Sequence, residues 1–181
     1  MRNVVLFIAM SLDGYIADRE GGVQWLGGDG SDPDNAGSYP RFYETVDAIV
    51  LGYNTYHQVA TELFPDKWFY AGKQSYVLTH RTEPSTDDII FTDEPTCALV
   101  TRLKAQEGKD IWICGGASII HPLIDRGLID RYHITVIPTL LGGGVRLFSE
   151  HKHSALLRLV STEHYNGMVD LIYEKRKDAI L

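Results

Sequence analysis

Three short stretches combine glycine, hydroxyl and cationic residues in a way that suits a phosphorylated ligand: Gly52 to Thr55 (GYNT), Thr79 to Arg81 (THR) and Gly115 to Ser118 (GGAS). Backbone N–H groups at a helix start have no partner inside the helix. Glycine leaves them bare, so a pyrophosphate can sit at the positive end of the helix dipole. Gly115-Gly116 leading into Ala117 and Ser118 fits that role, and so does Gly52-Tyr53-Asn54 ending on Thr55. Taken singly, Gly-Gly is a tight connection and Thr55 an N-cap; three such turns in one small chain favour a ligand. Thr79, His80 and Arg81 follow an apolar run. There a cation and a hydroxyl can grip a ribose 2′-phosphate and select NADPH over NADH, whereas without the other turns they form only a polar loop. Asp13 closes the first apolar run, where it can hydrogen-bond a heterocycle or sugar or simply serve an Asp-Gly turn. Trp25 can stack on a ring or anchor its loop.

These positions depend on the elements that carry them. Val4 to Met10 is a continuous apolar run, expected for a strand buried on both faces. Gly21 to Asn35 is dense in Gly and Asp and reads as a long loop, of the kind that is usually functional or mobile. PRFYETV from Pro40 predicts a short helix. AIVLG is a buried strand running into NTYHQVATELF, a helix over 54–64. SYVLT at 75–79 and IIF at 89–91 are further strands, and a helix opens at Asp93, Glu94 and Pro95. DIWIC at 110–114 is a strand, and ASIIHPLIDRGL a helix with Gly127 near its end. Pro122 removes one of its hydrogen bonds, so a kink or a late start is expected. YHITVIP at 132–138 is a strand. The chain closes with a hairpin, ALLRLVSTEHY and MVDLIYEKR around Asn166-Gly167, the pair a two-residue type I′ turn requires. Strands alternating with helices, then an antiparallel hairpin, imply an α/β three-layer sandwich: a mixed, mostly parallel sheet with helices on both faces. In such a sheet ligands bind outside the carboxyl ends of the strands, which places the three turns on one edge.

Composition sets the outer limits. The 181 residues are 44% hydrophobic and 23% charged, enough for one domain spanning 1–181 and too apolar for a disordered chain. A net charge of -7 supplies no chain-wide match to nucleic acid or to an anionic membrane surface, so an anionic ligand must be held by local groups. The first apolar run is too short for a membrane span, and the two cysteines have neither metal-site nor disulfide spacing; a cytoplasmic protein with free thiols is expected.

Sharper motifs fail. G-x-G-x-x-G is absent, since Gly28 and Gly30 are followed by Pro33 at the third position. A calcium loop starting at Asp32 would place Ala36 and Tyr43 at ligand positions. His151 and His153 lack a third zinc ligand and read as surface residues, so no metal is expected. Ser118 lacks a nucleophile elbow, and Cys114, in an apolar strand, reads as a small buried side chain.

SLDGYIA at 11–17, QWL at 24–26, IVLGYNTY, ICGGASII and PTLLGGGVRLF at 138–148 together resemble the dihydrofolate reductase-like superfamily. They are most similar to stand-alone proteins related to the reductase domain of bacterial riboflavin biosynthesis, over nearly the whole chain. The resemblance implies NADPH bound across Gly52 to Thr55, Thr79 to Arg81 and Gly115 to Ile119. It also implies a heterocyclic substrate beside Ala9, Asp13 and Trp25, and a homodimer. The implied chemistry is hydride transfer to a pyrimidine- or pterin-like substrate, with dihydrofolate reduction and a catalytically idle nucleotide-binding module as alternatives. In the riboflavin reductases an acidic residue usually precedes Gly-Gly; here it is Cys114. The fused deaminase motif of the bifunctional enzymes, H-x-E with P-C-x-x-C, does not occur.

Overall fold

The computed structural model describes residues 1–151 and 154–176. Its frame is one eight-stranded sheet in the order β5-β4-β3-β6-β1-β7-β10-β9. The strands are β1 (Val4–Ser11), β3 (Val46–Gly52), β4 (Gln74–Leu78), β5 (Ile89–Thr92), β6 (Asp110–Gly115), β7 (Arg131–Ile137), β9 (Leu157–Tyr165) and β10 (Met168–Lys175). All neighbours run parallel except β10, which is antiparallel to both β7 and β9.

Alternation along the central strands divides the apolar residues between two layers. Val4 and Leu6 of β1, Ile111 and Ile113 of β6 and Val50 of β3 face one core, which α3 (Thr96–Ala105) and α4 (Ala117–Asp125) complete with Leu99, Leu103, Ile120 and Leu123. Val5, Trp112, Ile49 and Leu51 face the other, covered by Phe42 of α1 (Tyr39–Glu44) and Val59. Strands buried on both sides need near-continuous apolar runs, which is why VVLFIAM and AIVLG read so clearly. The fold is the expected dihydrofolate reductase-like one, a mixed and mostly parallel sheet between two helical layers.

The ends of several elements behave as their residues dictate. At the hairpin, Asn166 (φ 46°) and Gly167 (φ 73°) both take positive φ, as the type I′ turn demands. Helix α4 closes with Gly127 at φ 61°; the Gly127 N–H bonds the Ile124 carbonyl and the Leu128 N–H bonds the Leu123 carbonyl, both at 2.9 Å, a Schellman ending. Pro122 lies inside α4 without delaying its start, so the expectation of a late start is corrected.

Two other expectations change. The helix anticipated over 54–64 is α only as α2 (Tyr53–Gln58) and continues as a π turn over Val59–Leu63. There the Phe64 N–H reaches the Val59 carbonyl at 2.9 Å, while the Thr61 hydroxyl bonds the His57 carbonyl at 2.8 Å. Periodicity also missed a second sheet in which β2 (Tyr15–Ala17) pairs with β8 (Val145–Arg146). Strands of three and two residues carry too little pattern to read. Of the expected surface pair, His151 contacts the Asp125 carboxylate at 3.3 Å, and His153 lies outside the described residues.

Candidate active-site cleft

The carboxyl ends of β1, β3, β4 and β6 open onto one cleft of about 1070 Å³. Strand order brings the turns together: β6 separates β3 from β1, so the Gly52 turn and the Gly115 turn are side by side. A methyl group on Gly52 would sit 3.8 Å from the Ile119 side chain and 3.9 Å from the Gly116 nitrogen. The Thr55 hydroxyl lies 3.7 Å from the corresponding position on Gly116, so β3 and β6 hand over to their helices around one small concavity. Gly115 adopts φ 133°, a conformation side chains rarely tolerate. Helix α4 starts here from Gly116 and turns the N–H groups of its first residues, Ala117 and Ser118, toward the cleft that they and Ile119 line.

Arg81 reaches the same cleft from the end of β4. Its guanidinium lies over the Tyr53 ring, 4.4 Å from the centroid, and the Tyr53 hydroxyl bonds the Glu83 carboxylate at 3.1 Å. The strand end is bent to deliver it, since the Arg81 N–H bonds the Thr79 hydroxyl at 3.0 Å. A cation stacked on an aromatic face is fixed in place while its N–H groups stay free for an anion.

The far side of the cleft is formed by the loop after β2 and by α2 with its π turn. Ile16, Asp18, Glu20, Gln24 and Leu26 line the loop side; Gln58, Glu62 and Leu63 line the helix side. The two sides touch where the Gln58 amide donates to the Gly21 carbonyl at 3.1 Å. The loop keeps its shape because the Asp18 carboxylate accepts the N–H groups of Glu20 (2.9 Å) and Gly22 (2.7 Å). Cys114 contributes to the cleft wall, with the Tyr70 hydroxyl 3.7 Å from its sulfur. Burial pushes its thiol up to about 11, so it meets the cleft as a neutral group.

Of the anticipated residues, Ala9, Gly52, Tyr53, Asn54, Thr55, Arg81, Gly115, Gly116, Ala117, Ser118 and Ile119 lie together along this cleft. Thr79 and His80 lie outside the lining. Trp25 is also outside it, although Gln24 and Leu26 on either side are in it; the Trp25 indole donates to the Gly22 carbonyl at 3.1 Å. Asp13 stands apart, holding the loop between β7 and β8. Its carboxylate takes the Ser11 hydroxyl at 2.6 Å and the N–H groups of Leu141 (3.1 Å) and Gly142 (2.7 Å). The Ser11 hydrogen bond and those two backbone donors hold its pKa below the ordinary aspartate value. Sequence reading passed over Gln58 and Glu62. Helical spacing from Thr55, at three and seven residues, is the signal that finds them.

The arrangement suits a dinucleotide. Bare N–H groups beside glycines can donate to a pyrophosphate, an anchored guanidinium can donate to a further phosphate, and a compartment of apolar side chains, amides and carboxylates continues beyond them. Among the described residues there is no group of three His, Cys, Asp or Glu side chains placed to hold a metal ion, nor a helix long and apolar enough to cross a membrane.

Comparison with known proteins agrees with this geometry. Residues 2–171 match the model of the RibD C-terminal domain. The uncharacterized protein YwjB of Bacillus subtilis (strain 168) is 39% identical over 95% of this chain and 97% of its own. A putative riboflavin biosynthesis protein from Shewanella sp. PV-4 superposes with a TM-score of 0.80 at 30% identity, covering 98% of this chain and 100% of its own. The Thermotoga maritima diaminohydroxyphosphoribosylaminopyrimidine deaminase/5-amino-6-(5-phosphoribosylamino)uracil reductase shares the fold, with a TM-score of 0.68 at 16% identity; the match covers 97% of this chain and 57% of that one.

Proposed function

This chain belongs to the RibD C-terminal domain family, a reductase-related family, and we propose that it is an NADPH-dependent reductase of a pyrimidine- or pterin-like heterocycle. The observation that carries the reading is the meeting of the Gly52, Arg81 and Gly115 turns along one cleft, with a partly apolar compartment beyond them. When bound, NADPH supplies a hydride from nicotinamide C4. The protein's own contribution is binding and alignment. In this reading the α4 N–H groups and the Thr55 hydroxyl hold the pyrophosphate, Arg81 on its Tyr53 platform holds the ribose 2′-phosphate, and Ala9 and Cys114 border the reacting end. The Gln58 contact with Gly21 keeps the 18–26 loop closed over the substrate, limiting water while the donor and acceptor are aligned.

A second reading, nucleotide binding without turnover, is favoured by Cys114, whose neutral thiol offers no charge to a substrate where the riboflavin reductases usually present an acid. Titration with NADPH, followed by nicotinamide fluorescence, tests what both readings share: saturable binding in the micromolar range is expected, and no binding at millimolar cofactor overturns both. NADPH consumption with a pyrimidine or pterin acceptor then eliminates the second.

A further inference from the structure

The Thermotoga maritima protein is named for a substrate that carries a 5-phosphoribosyl group. A pocket for such a group needs cations or bare N–H groups at the substrate end. In this chain the charges of the cleft are distributed the other way. Among the described residues Arg81 is the one Lys or Arg that lines it, and it stands at the cofactor end, stacked on Tyr53. Three carboxylates, Asp18, Glu20 and Glu62, line the opposite end, and among the described residues none of them is in an ion pair. Tyr53 and Glu62 are nine residues apart along α2 and its π turn, about 13 Å at the ordinary helical rise. One arginine therefore cannot serve both ends. The loop's own cation, Arg19, is directed to the Gly142 carbonyl at 3.4 Å and is not part of the lining. This end also carries Ile16, Leu26 and Leu63 with the amides of Gln24 and Gln58, and His57, on α2 between Tyr53 and Glu62, lines the cleft as well.

We propose that the substrate half of the cleft selects a heterocycle whose sugar or side chain is uncharged, and excludes the phosphate ester of the same compound. This rests on the reductase reading and narrows its substrate class. Amides and apolar side chains hydrogen-bond and cover a neutral polyol-bearing ring, whereas a phosphate dianion would meet three like charges. Glu20 and Glu62 are exposed, so water and salt weaken each repulsion. At about 8 Å in water one pair of unit charges changes binding roughly twofold, and at physiological ionic strength the Debye length is about 8 Å. Summed over a dianion and three carboxylates, the discrimination comes to roughly tenfold and grows as salt is removed.

The test titrates the whole protein by calorimetry, with and without NADPH, using 5-amino-6-(5-phosphoribosylamino)uracil and the same compound after phosphatase treatment. The dephosphorylated form is expected to bind at least about tenfold more tightly at 150 mM salt, with a wider gap at 20 mM. Equal binding, tighter binding of the ester, or binding of neither overturns the inference. Failure of NADPH itself to bind overturns the reductase reading, and the probe pair, compared without cofactor, still decides the charge selectivity. The double substitution Glu20→Gln with Glu62→Gln should narrow the ratio to about twofold, and Glu62→Gln alone should narrow it part of the way. A ratio that neither substitution moves removes the carboxylates as its cause.

Discussion

Serine, histidine and aspartate meet in this protein at a place that does no visible chemistry, while the cleft that suits a ligand is lined by glycines, amides and one arginine, with carboxylates at its far end. The first place lies under the antiparallel half of the sheet. Asp170 of β10 is fully buried, with Ser38, His133 and Thr135 also buried around it. The Ser38 hydroxyl donates to one Asp170 oxygen; the Thr135 (2.6 Å) and Tyr165 (3.2 Å) hydroxyls donate to the other. Because the Ser38 proton is committed to Asp170, His133 Nε2, 2.9 Å from the Ser38 oxygen, must carry a hydrogen of its own. A nucleophilic serine needs the reverse, a histidine that accepts its proton. The cluster is sealed by Phe7, whose ring is 4.3 Å from both His133 and Phe42. It ties the long 18–38 loop to β7 and β10. The cleft differs in that most of its donors remain open: helix-start N–H groups, a stacked guanidinium and the Gln24 amide, with only the Gln58 amide engaged, by the Gly21 carbonyl. Satisfied polar groups in a dry site build structure, and unsatisfied ones at a wet rim are available to a ligand.

The largest effect that would break this comparison is expected at Asp170. Asp170→Ala leaves three hydroxyls and His133 without their acceptor and should cost about 3–5 kcal/mol, read as the drop in urea-unfolding free energy. A loss below about 1 kcal/mol would mean that the cluster holds nothing together. Its pH dependence follows from the same contacts. Burial pushes the Asp170 carboxyl up, but hydrogen bonds from His133, Ser38 and Thr135, with the His133 charge, outweigh it and hold the pKa below the ordinary 3.8. The stabilisation is therefore complete above pH 3.8 and is lost as pH falls through the lower folded value. Acid unfolding of Asp170→Ala should lack that component.

A smaller effect, confined to the cleft, is expected from Arg81→Ala. NADPH affinity should fall roughly tenfold and NADH affinity stay within about twofold, with stability unchanged, because an exposed cation on a rim contributes to its ligand more than to the fold. Equal losses for both cofactors would remove Arg81 from the 2′-phosphate. The smallest expected change is at Cys114. With the thiol raised to about 11, iodoacetamide at pH 8 should label it far more slowly than an unperturbed cysteine. Rapid labelling of Cys114 would show that this wall of the cleft is more open and polar than its burial indicates.

Much of this architecture was legible because each step used a local rule. VVLFIAM and AIVLG could only be doubly buried strands, Asn166-Gly167 could only be a tight hairpin, and Gly-Gly before an apolar helix marked its N-terminus. Eleven of the anticipated binding residues lie together in the cleft for the same reason: turns at the carboxyl ends of parallel strands share an edge. Local rules did not resolve Asp13. An Asp-Gly turn and a ligand-holding carboxylate look alike in one dimension, and only the return of Leu141 and Gly142 shows where its hydrogen bonds go. The Trp25 loop raised the same difficulty, since neighbouring loop residues point in different directions without a period to predict them. Gln58 and Glu62 were missed although their helical spacing from Thr55 was available.

The sequence by itself determined the class of fold, the order of the strands of the main sheet and of the helices between them, and the chemistry of the turns. Those depend on side-chain period, glycine's φ freedom and proline's missing donor, all of which act over a few residues. Only the tertiary structure decided which polar residues are spent. Asp170 and Asp13 are the same residue type, both with depressed pKa values, and beside one near neighbour each, Tyr165 and Ser11, both are held by partners more than thirty residues away in the chain. Glu20 and Glu62 have no ion-pair partner among the described residues and face a cleft. That difference arises because strand pairing, a long-range event, sets which donors reach which carboxylates.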